Sequence, residues 1–222
     1  TPGTATEMVG LNATDLGWQF NYAGIENLGN IDLSGKALVD ISGEGGAIHL
    51  QGAHINLVGG SVLFVNSQGA QLGGSIGIDA SESIVFSGTA ANGFPTLLRY
   101  EVSGTGGGGD IELTTRNLVL SDRAMIDNRN FSLTPSGRIV IEALQTAQVI
   151  GSSTPFRSTI QSVTVSNGTA GDVILSSPQV RILDQGSFSS VSAGRGSAGN
   201  VTIDASESIV SSGTIAATTF VA

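Results

Sequence analysis

Acidic and basic residues recur at one position of the sequence pattern, and a set of this kind could perform acid–base chemistry. Asp110, Arg138 and Asp172 each come directly before the first apolar residue of a short run. If the runs stack as neighbouring strands, these side chains lie about 5 Å apart in one column. Enzymes that cleave acidic polysaccharides use stacked acids or bases. Because acid, base and acid alternate, the column neutralises itself, so we interpret it as a surface ladder and predict no catalytic residue.

Candidate metal ligands and cofactor-binding residues are scarce. His49 and His54 are the two histidines of the chain, and we place them on different strands, pointing outward between apolar neighbours. A zinc site needs more convergent ligands than this. The carboxylates Asp79 and Glu82 recur in a duplicated segment, but the calcium nonapeptide pattern GGxGxD is not matched. The sequence therefore predicts no metal site and no cofactor.

A surface that contacts a partner is the remaining functional candidate. Two glycine-bounded segments each contain a phenylalanine next to a proline, and arginine lies close by in both. Aromatic and arginine side chains dominate the binding energy of many recognition surfaces. We predict contact with a carbohydrate or cell-surface ligand, and leave open the alternative that the phenylalanines cover local apolar pockets. The predicted contact residues are Phe94, Arg99, Tyr100, Glu101, Phe156 and Arg157.

The elements that must position these residues are short strands that repeat along the chain. Apolar residues alternate with small or polar ones in runs bounded by glycine, a pattern typical of strands. In each unit a second aliphatic pair and a third short strand follow, and repeats at this spacing indicate a solenoid. We predict an all-β fold, a right-handed parallel β-helix (β-solenoid) with three short strands per coil. The first runs are separated by 28, 35, 28, 34 and 28 residues and begin at Ile48, Ile76, Ile111, Ile139, Val173 and Val201.

Loops are expected on alternate coils. Gly88–Thr96 and Gly151–Arg157 are insertions between the second and third strands, and we interpret Gly213–Phe220 as the start of a third insertion. Ile78–Thr89 reads IDASESIVFSGT and Ile203–Thr214 reads IDASESIVSSGT, so two segments 125 residues apart differ at one position. This double-coil period predicts loops that project from one edge of the rod, about 10 Å apart.

The chain divides into two parts. Residues 1–29 are less regular, and we interpret them as an irregular N-terminal segment or a remnant of the preceding domain. Residues 30–222 form the predicted β-helix of about six or seven coils, whose first strands are expected within Asn30–Ser34 and Ala37–Ser42. We interpret the whole as a segment of a longer protein.

Composition excludes several classes of function. The formal net charge is −9, with nine Lys and Arg against 18 Asp and Glu. We therefore expect no nucleic acid partner, because phosphate neutralisation needs clustered cations. The chain has no cysteine, which removes disulfides, thiolate zinc sites and cysteine nucleophiles together. Apolar residues make up 40% of the chain, which is enough to bury a core.

The repeat units resemble the filamentous haemagglutinin family of large exoproteins. The pattern G-[SN]-[IV]-x-[IL]-x-A-x-x-x-[IV] occurs at Gly74–Ile84 and Gly199–Ile209, and Gly29–Gly35 is a related unit. The phrase GSAGNVTIDASESI at Gly196–Ile209 is similar to that of cyanobacterial members. The resemblance covers roughly residues 25–222.

The resemblance implies a function and a location. It implies two-partner secretion, with an outer-membrane barrel transporter as the partner, and a secreted or cell-surface, outer-membrane-associated location of the Gram-negative type. It implies a non-catalytic structural shaft of a large adhesin or exoprotein, with no catalytic residues to transfer. The asparagine-rich signatures of the family's secretion domain are missing from this sequence. Two alternatives stay open: a β-helix enzyme acting on polysaccharide, and a haem-binding exoprotein.

Overall fold

The structure, a computed structural model, describes residues 10–14, 17–21, 28–152 and 157–220. Every helix or strand in these residues is a β-strand, so the protein is all-β, as the sequence predicts. None of the described residues belongs to a helix that is long and apolar enough to cross a bilayer.

The strands are short in the terminal parts of the described chain and longest in its centre. In chain order they are β1 (Gly10–Thr14), β2 (Gly17–Asn21), β3 (Ile31–Leu33), β4 (Leu38–Asp40), β5 (Ile48–Val58), β6 (Val62–Ser67), β7 (Ile76–Ser87), β8 (Leu97–Val102), β9 (Ile111–Ser121), β10 (Met125–Asn130), β11 (Ile139–Ile150), β12 (Thr159–Thr164), β13 (Val173–Ser176), β14 (Gln179–Leu183), β15 (Ser187–Ser192), β16 (Val201–Asp204), β17 (Ser208–Ser211) and β18 (Thr214–Thr219).

Most strands belong to two parallel sheets, and from β3 onward the chain passes repeatedly from one sheet to the other. One sheet has seven strands in the order β18-β15-β12-β10-β8-β6-β4. The other has nine strands, with β16-β13-β11-β9-β7-β5-β3 as its path and β14 and β17 paired beside β11. All strand pairs in both sheets are parallel.

The register predicted from the spacing of the apolar runs is confirmed at every step. The units differ in length by six or seven residues, and the extra residues lie outside the paired positions. Apolar residues at equivalent places in successive units therefore stack directly on one another. The pairs are Ile48 with Ile76, Ile76 with Ile111, Ile111 with Ile139, Ile139 with Val173, and Val173 with Val201.

The first two predicted strands of each unit are separate in only part of the sheet. In β5, β7, β9 and β11 they form one continuous strand with a shift of register in the middle. Such bulges bend a strand without ending it. The two strands are separate at β13 and β14, where Pro178 has no N–H to donate to the ladder.

Every second side chain of a strand points inward, and these side chains fill the space between the sheets. In β7, Ile76, Ile78, Ile84 and Phe86 are fully buried, while the intervening positions are more exposed. One continuous apolar cluster takes buried residues from both sheets. Each fully buried aliphatic side chain contributes roughly 1.5–3 kcal/mol, so in-register stacking of many such residues stabilises the fold.

Glycines precede the strands of the nine-stranded sheet because the backbones of successive units approach each other closely there. A Cβ atom at Gly137 would collide with the carbonyl oxygen of Gly109. One at Gly171 would collide with the oxygen of Gly137, and one at Gly199 with the oxygen of Gly171. The repeated glycine is therefore a steric requirement of stacking, which explains why it recurs with the strand spacing.

The interpretation of Gly213–Phe220 as a loop is wrong. Thr214–Thr219 is β18, which pairs in register with β15. Only Ser212 and Gly213 separate β17 from β18, so the chain returns to the seven-stranded sheet without an insertion. The β-branched Thr and Ile residues of this segment favour a strand.

The N-terminal part is a separate small element. The strands β1 and β2 pair antiparallel, with Gly10 opposite Asn21 and Thr14 opposite Gly17. The two strands expected within Asn30–Ser34 and Ala37–Ser42 are confirmed as β3 and β4.

Candidate functional site

The loop Gly88–Thr96 carries the first predicted contact residue, Phe94. Thr89 and Pro95 form an antiparallel bridge, and the N–H of Ala90 donates to the carbonyl oxygen of Phe94 at 2.8 Å. The loop is thus a small hydrogen-bonded structure in its own right. Phe94 is 46% exposed, so about half of its surface is accessible to a partner.

The second predicted loop is described only in part. Arg157 is exposed, and Phe156 lies outside the described residues. At the start of this loop, the N–H of Gly151 donates to the carbonyl oxygen of Leu183 at 2.9 Å. The contact role of Arg157 and Phe156 stays a prediction.

Tyr100 is a core residue, so its assignment to the contact surface is wrong. In β8 the side chains of Leu98, Tyr100 and Val102 are fully buried. Arg99 and Glu101 lie between them in the strand and point to the outer face. The strict alternation of a strand therefore separates Tyr100 from its two charged neighbours.

The Tyr100 hydroxyl lies inside the protein near Ser67 and Gly109. Burial raises the pKa of Tyr100, and the nearby polar groups of Gly109 and Ser67 offset this only in part. Among the described residues the hydroxyl has no hydrogen-bond partner of good geometry. It is a polar atom held in the core at some cost in stability.

The outer face of the seven-stranded sheet carries a charged group that we call the Asp127 cluster. Its members are Arg99, Glu101, Asp127, Arg129 and Gln161, which come from three adjacent strands. Asp127 Oδ2 accepts hydrogen bonds from Arg99 Nη2 at 2.8 Å and Arg129 Nε at 2.7 Å. Asp127 Oδ1 accepts one from Gln161 Nε2 at 3.0 Å.

Asp127 is fully buried although it belongs to the outer face, because the longer side chains beside it cover it. Arg99 Nε adds a fourth hydrogen bond at 3.1 Å, so Oδ2 accepts three of the four and Oδ1 accepts one. The side chain of Arg99 is 22% exposed, and that of Arg129 is 38% exposed. Both arginines are therefore held by the carboxylate of Asp127, while part of each side chain is accessible to solvent.

Asp127 was not among the predicted site residues, although the sequence contains the signal for it. Asp127 in β10 lies 28 residues after Arg99 in β8, which is one unit length, and the two residues are paired. Counting the register between neighbouring units was therefore sufficient to find the pair.

The predicted column of Asp110, Arg138 and Asp172 forms at its first step. Arg138 Nη2 lies 2.8 Å from Asp110 Oδ2, and Arg138 N donates to Asp110 Oδ1 at 2.7 Å. The hydrogen bond and the charge of Asp110 raise the pKa of Arg138. Asp172 instead accepts a hydrogen bond from the N–H of Asn200 at 2.6 Å. Half of the Arg138 side chain is exposed, so the pair is a solvated surface contact.

The two histidines lie on one strand, β5, and not on two. His49 Nε2 is 3.7 Å from Asp79 Oδ2, and His54 Nδ1 is 2.8 Å from the hydroxyl of Ser83. Within the described residues, no group of three or more His, Cys, Asp or Glu side chains could hold a metal ion.

Buried polar residues inside the seven-stranded sheet form a second group that sequence reasoning missed. Asn128 Nδ2 donates to the carbonyl oxygen of Gly137 at 2.8 Å, and Asn130 Nδ2 donates to that of Thr134 at 2.7 Å. In the next unit, the hydroxyl of Ser162 accepts from the N–H of Gly171 at 2.8 Å. These side chains hold the glycine-containing turns against the sheet, which is a structural role.

The protein matches no family model, no curated protein and no solved structure. The Asp127 cluster, through its two arginines, and the Phe94 loop both present side chains to solvent.

Proposed function

We propose that this chain is a non-catalytic structural shaft of a large secreted or surface-exposed adhesin, folded as a right-handed parallel β-helix. The observation that carries the proposal is the in-register parallel pairing of successive units in both sheets. A stack of this kind shares burial and backbone hydrogen bonds between neighbours, so it can be extended by adding units. Such a rod displays side chains at fixed intervals.

The contact surface of the shaft is the Asp127 cluster together with Phe94. Arg99 and Arg129 are fixed by a buried carboxylate, so little conformational entropy is lost when a ligand binds to them. Phe94 supplies an apolar surface at the rim of the same unit. We propose that this surface contacts a carbohydrate or another cell-surface ligand.

The hydrogen bonds already made by the carboxylates of Asp127 and Asp110 favour adhesion over catalysis. A general base must reach its substrate, whereas Asp127 is fully buried and its carboxylate accepts four hydrogen bonds, three at Oδ2 and one at Oδ1. Asp110 is engaged by the guanidinium and the N–H of Arg138. By resemblance to the exoprotein family, we propose an outer-membrane barrel transporter as the secretion partner and a cell-surface location.

The proposal is tested by immobilising the purified chain and measuring its binding to a glycan panel and to intact cells. Arg129→Gln should weaken binding roughly tenfold, because a charge-assisted hydrogen bond contributes about 1.5–3 kcal/mol. The matched control is Arg138→Gln, which removes an arginine from an exposed ion pair elsewhere and should leave binding unchanged. Absence of binding, or release of products from the polysaccharides, would contradict an adhesive shaft.

A further inference from the structure

The nine-stranded sheet has a corner where each unit bends, and the corner length alternates along the stack. Each unit of this sheet has two runs of residues that pair with the neighbouring unit, and the corner lies between them. It begins after the last paired residue of the first run that faces outward. It ends before the first paired residue of the second run. It has three residues in β7, namely Ala80 to Glu82, but two in β9, Thr115 and Arg116. Long corners are residues 80–82, 143–145 and 205–207, and short corners are residues 52–53, 115–116 and 177–178.

The charge at the corner alternates with the same period. The outer position directly before each long corner is acidic, and the residues are Asp79, Glu142 and Asp204. The same position before each short corner is neutral and polar, and the residues are Gln51, Thr114 and Ser176. Strand pairing places all six in one column in the order Gln51, Asp79, Thr114, Glu142, Ser176 and Asp204.

Two neighbouring cavities lie along this column, and we call them together the groove. A cavity of about 570 Å³ is lined by Glu142, Leu144, Pro178 and Asp204 among others. A second cavity of about 260 Å³ is lined by Asp79 and Thr114, and Leu144 borders both. Leu144 is 58% exposed, so an apolar side chain is accessible where the two cavities meet. An apolar surface with a few polar groups placed around it is a frequent composition of binding sites for small molecules.

The dimensions of the groove specify the repeat of its ligand. Neighbouring parallel strands are about 4.8 Å apart, so the acidic residues recur every ~10 Å along the stack. The rise of one sugar in an extended β-1,4-linked chain is close to the strand spacing, and its disaccharide repeat is close to two strands. The net charge of −9 disfavours a polymer of uronates or sulfated sugars.

We propose that this groove binds a neutral, extended β-1,4-linked polysaccharide that runs along the stack, one sugar per strand. Asp79, Glu142 and Asp204 accept hydrogen bonds from hydroxyl groups of every second sugar, and Leu144 contacts the C–H face of a ring. The groove lies on a different sheet from the Asp127 cluster, so the inference does not depend on the adhesive surface proposed above.

The probes are cello-oligosaccharides of four, six and eight sugars, titrated calorimetrically into the whole chain. Affinity should increase with length, because each added sugar reaches a further strand. Glu142→Lys should weaken binding of the six-sugar probe roughly tenfold or more, since it replaces an acceptor by a donor and blocks the groove. Glu142→Gln, which keeps the shape, should weaken it less.

Glu112→Gln is the matched control, because Glu112 is an exposed acid of β9 outside the groove column, and it should bind as the parent chain does. Circular dichroism melting of each variant separates loss of binding from loss of fold. The proposal is overturned if the parent chain does not bind, if Glu142 and Glu112 variants behave alike, or if α-1,4-linked malto-oligosaccharides bind equally well. Each of these results leaves the test of Arg129 unaffected.

Discussion

Two copies of nearly one sequence lie in different surroundings in this protein. Ile78–Thr89 belongs to the centre of the nine-stranded sheet, where β7 has β5 on one side and β9 on the other. Ile203–Thr214 contributes β16 and β17, which in the described part of the chain are paired on one side only. Ile84 is fully buried, and its counterpart Ile209 is 50% exposed.

The difference shows that neighbouring strands, and not the local sequence, determine burial. The first copy forms one continuous strand with a bulge, whereas the second forms two short strands. A single unit cannot bury enough apolar surface to offset the conformational entropy that its folding costs. Its side chains become core residues only when a unit is stacked on each side. Mutations at equivalent positions of the two copies should therefore differ in their effect on stability.

The largest difference is expected at the one position where the copies diverge. Phe86 is fully buried, and Ser211 is exposed. Phe86→Ser removes a large core side chain and leaves a cavity, so we expect the free energy of unfolding to fall by about 3–5 kcal/mol. Urea denaturation followed by circular dichroism measures this change.

The reciprocal change, Ser211→Phe, makes the two copies identical. Because Ser211 is exposed, it should alter the free energy of unfolding by less than about 1 kcal/mol. If the two substitutions changed the free energy of unfolding by equal and opposite amounts, the local sequence and not the neighbouring strands would determine stability.

Polar side chains of the seven-stranded sheet should show a smaller difference in unfolding free energy between a buried central position and an exposed terminal one. Asn130 is fully buried and donates to the carbonyl oxygens of Thr134 and Thr169. Asn130→Ala leaves these groups without that donor and should cost about 1–3 kcal/mol of unfolding free energy. Thr219, which stacks in the same column, is exposed and accepts a hydrogen bond from the N–H of Ala198 at 3.1 Å. Thr219→Ala should lower the unfolding free energy by less than about 1 kcal/mol. If it lowered this energy as much as Asn130→Ala does, burial by neighbouring strands would not explain the difference.

The sequence predicted the strands and their register because both follow from local alternation and long-range spacing. It did not predict that Asn128 and Asn130 point inward, since polar residues in an alternating strand are expected to face solvent. Tyr100 was assigned to the surface because it was grouped with charged neighbours, although its alternation with Leu98 and Val102 indicates the core. The alternating corner length was visible only once strand pairing had aligned Asp79 with Glu142 and Asp204.

The smallest effect on the free energy of unfolding is expected for substitution of Tyr100, and this effect depends on pH. Tyr100 shares an inward column with Ala217, which is exposed on the outermost strand, so the stacked neighbours bury the tyrosine. Its hydroxyl lacks a good hydrogen-bond partner among the described residues, so Tyr100→Phe should change the unfolding free energy at pH 7 by less than about 1 kcal/mol.

Burial raises the pKa of Tyr100 above its ordinary value of 10.0, so the unfolded chain loses this proton at lower pH than the folded one. The folded state then binds more protons than the unfolded state, and the unfolding free energy must fall as pH rises above about 10. Urea denaturation at pH 7, 9, 10 and 11 should show that the parent chain loses stability relative to Tyr100→Phe only in the upper part of this series. Parallel curves for the two proteins would mean that Tyr100 ionises as readily in the folded chain as in the unfolded one. That result would contradict burial of this side chain by its stacked neighbours.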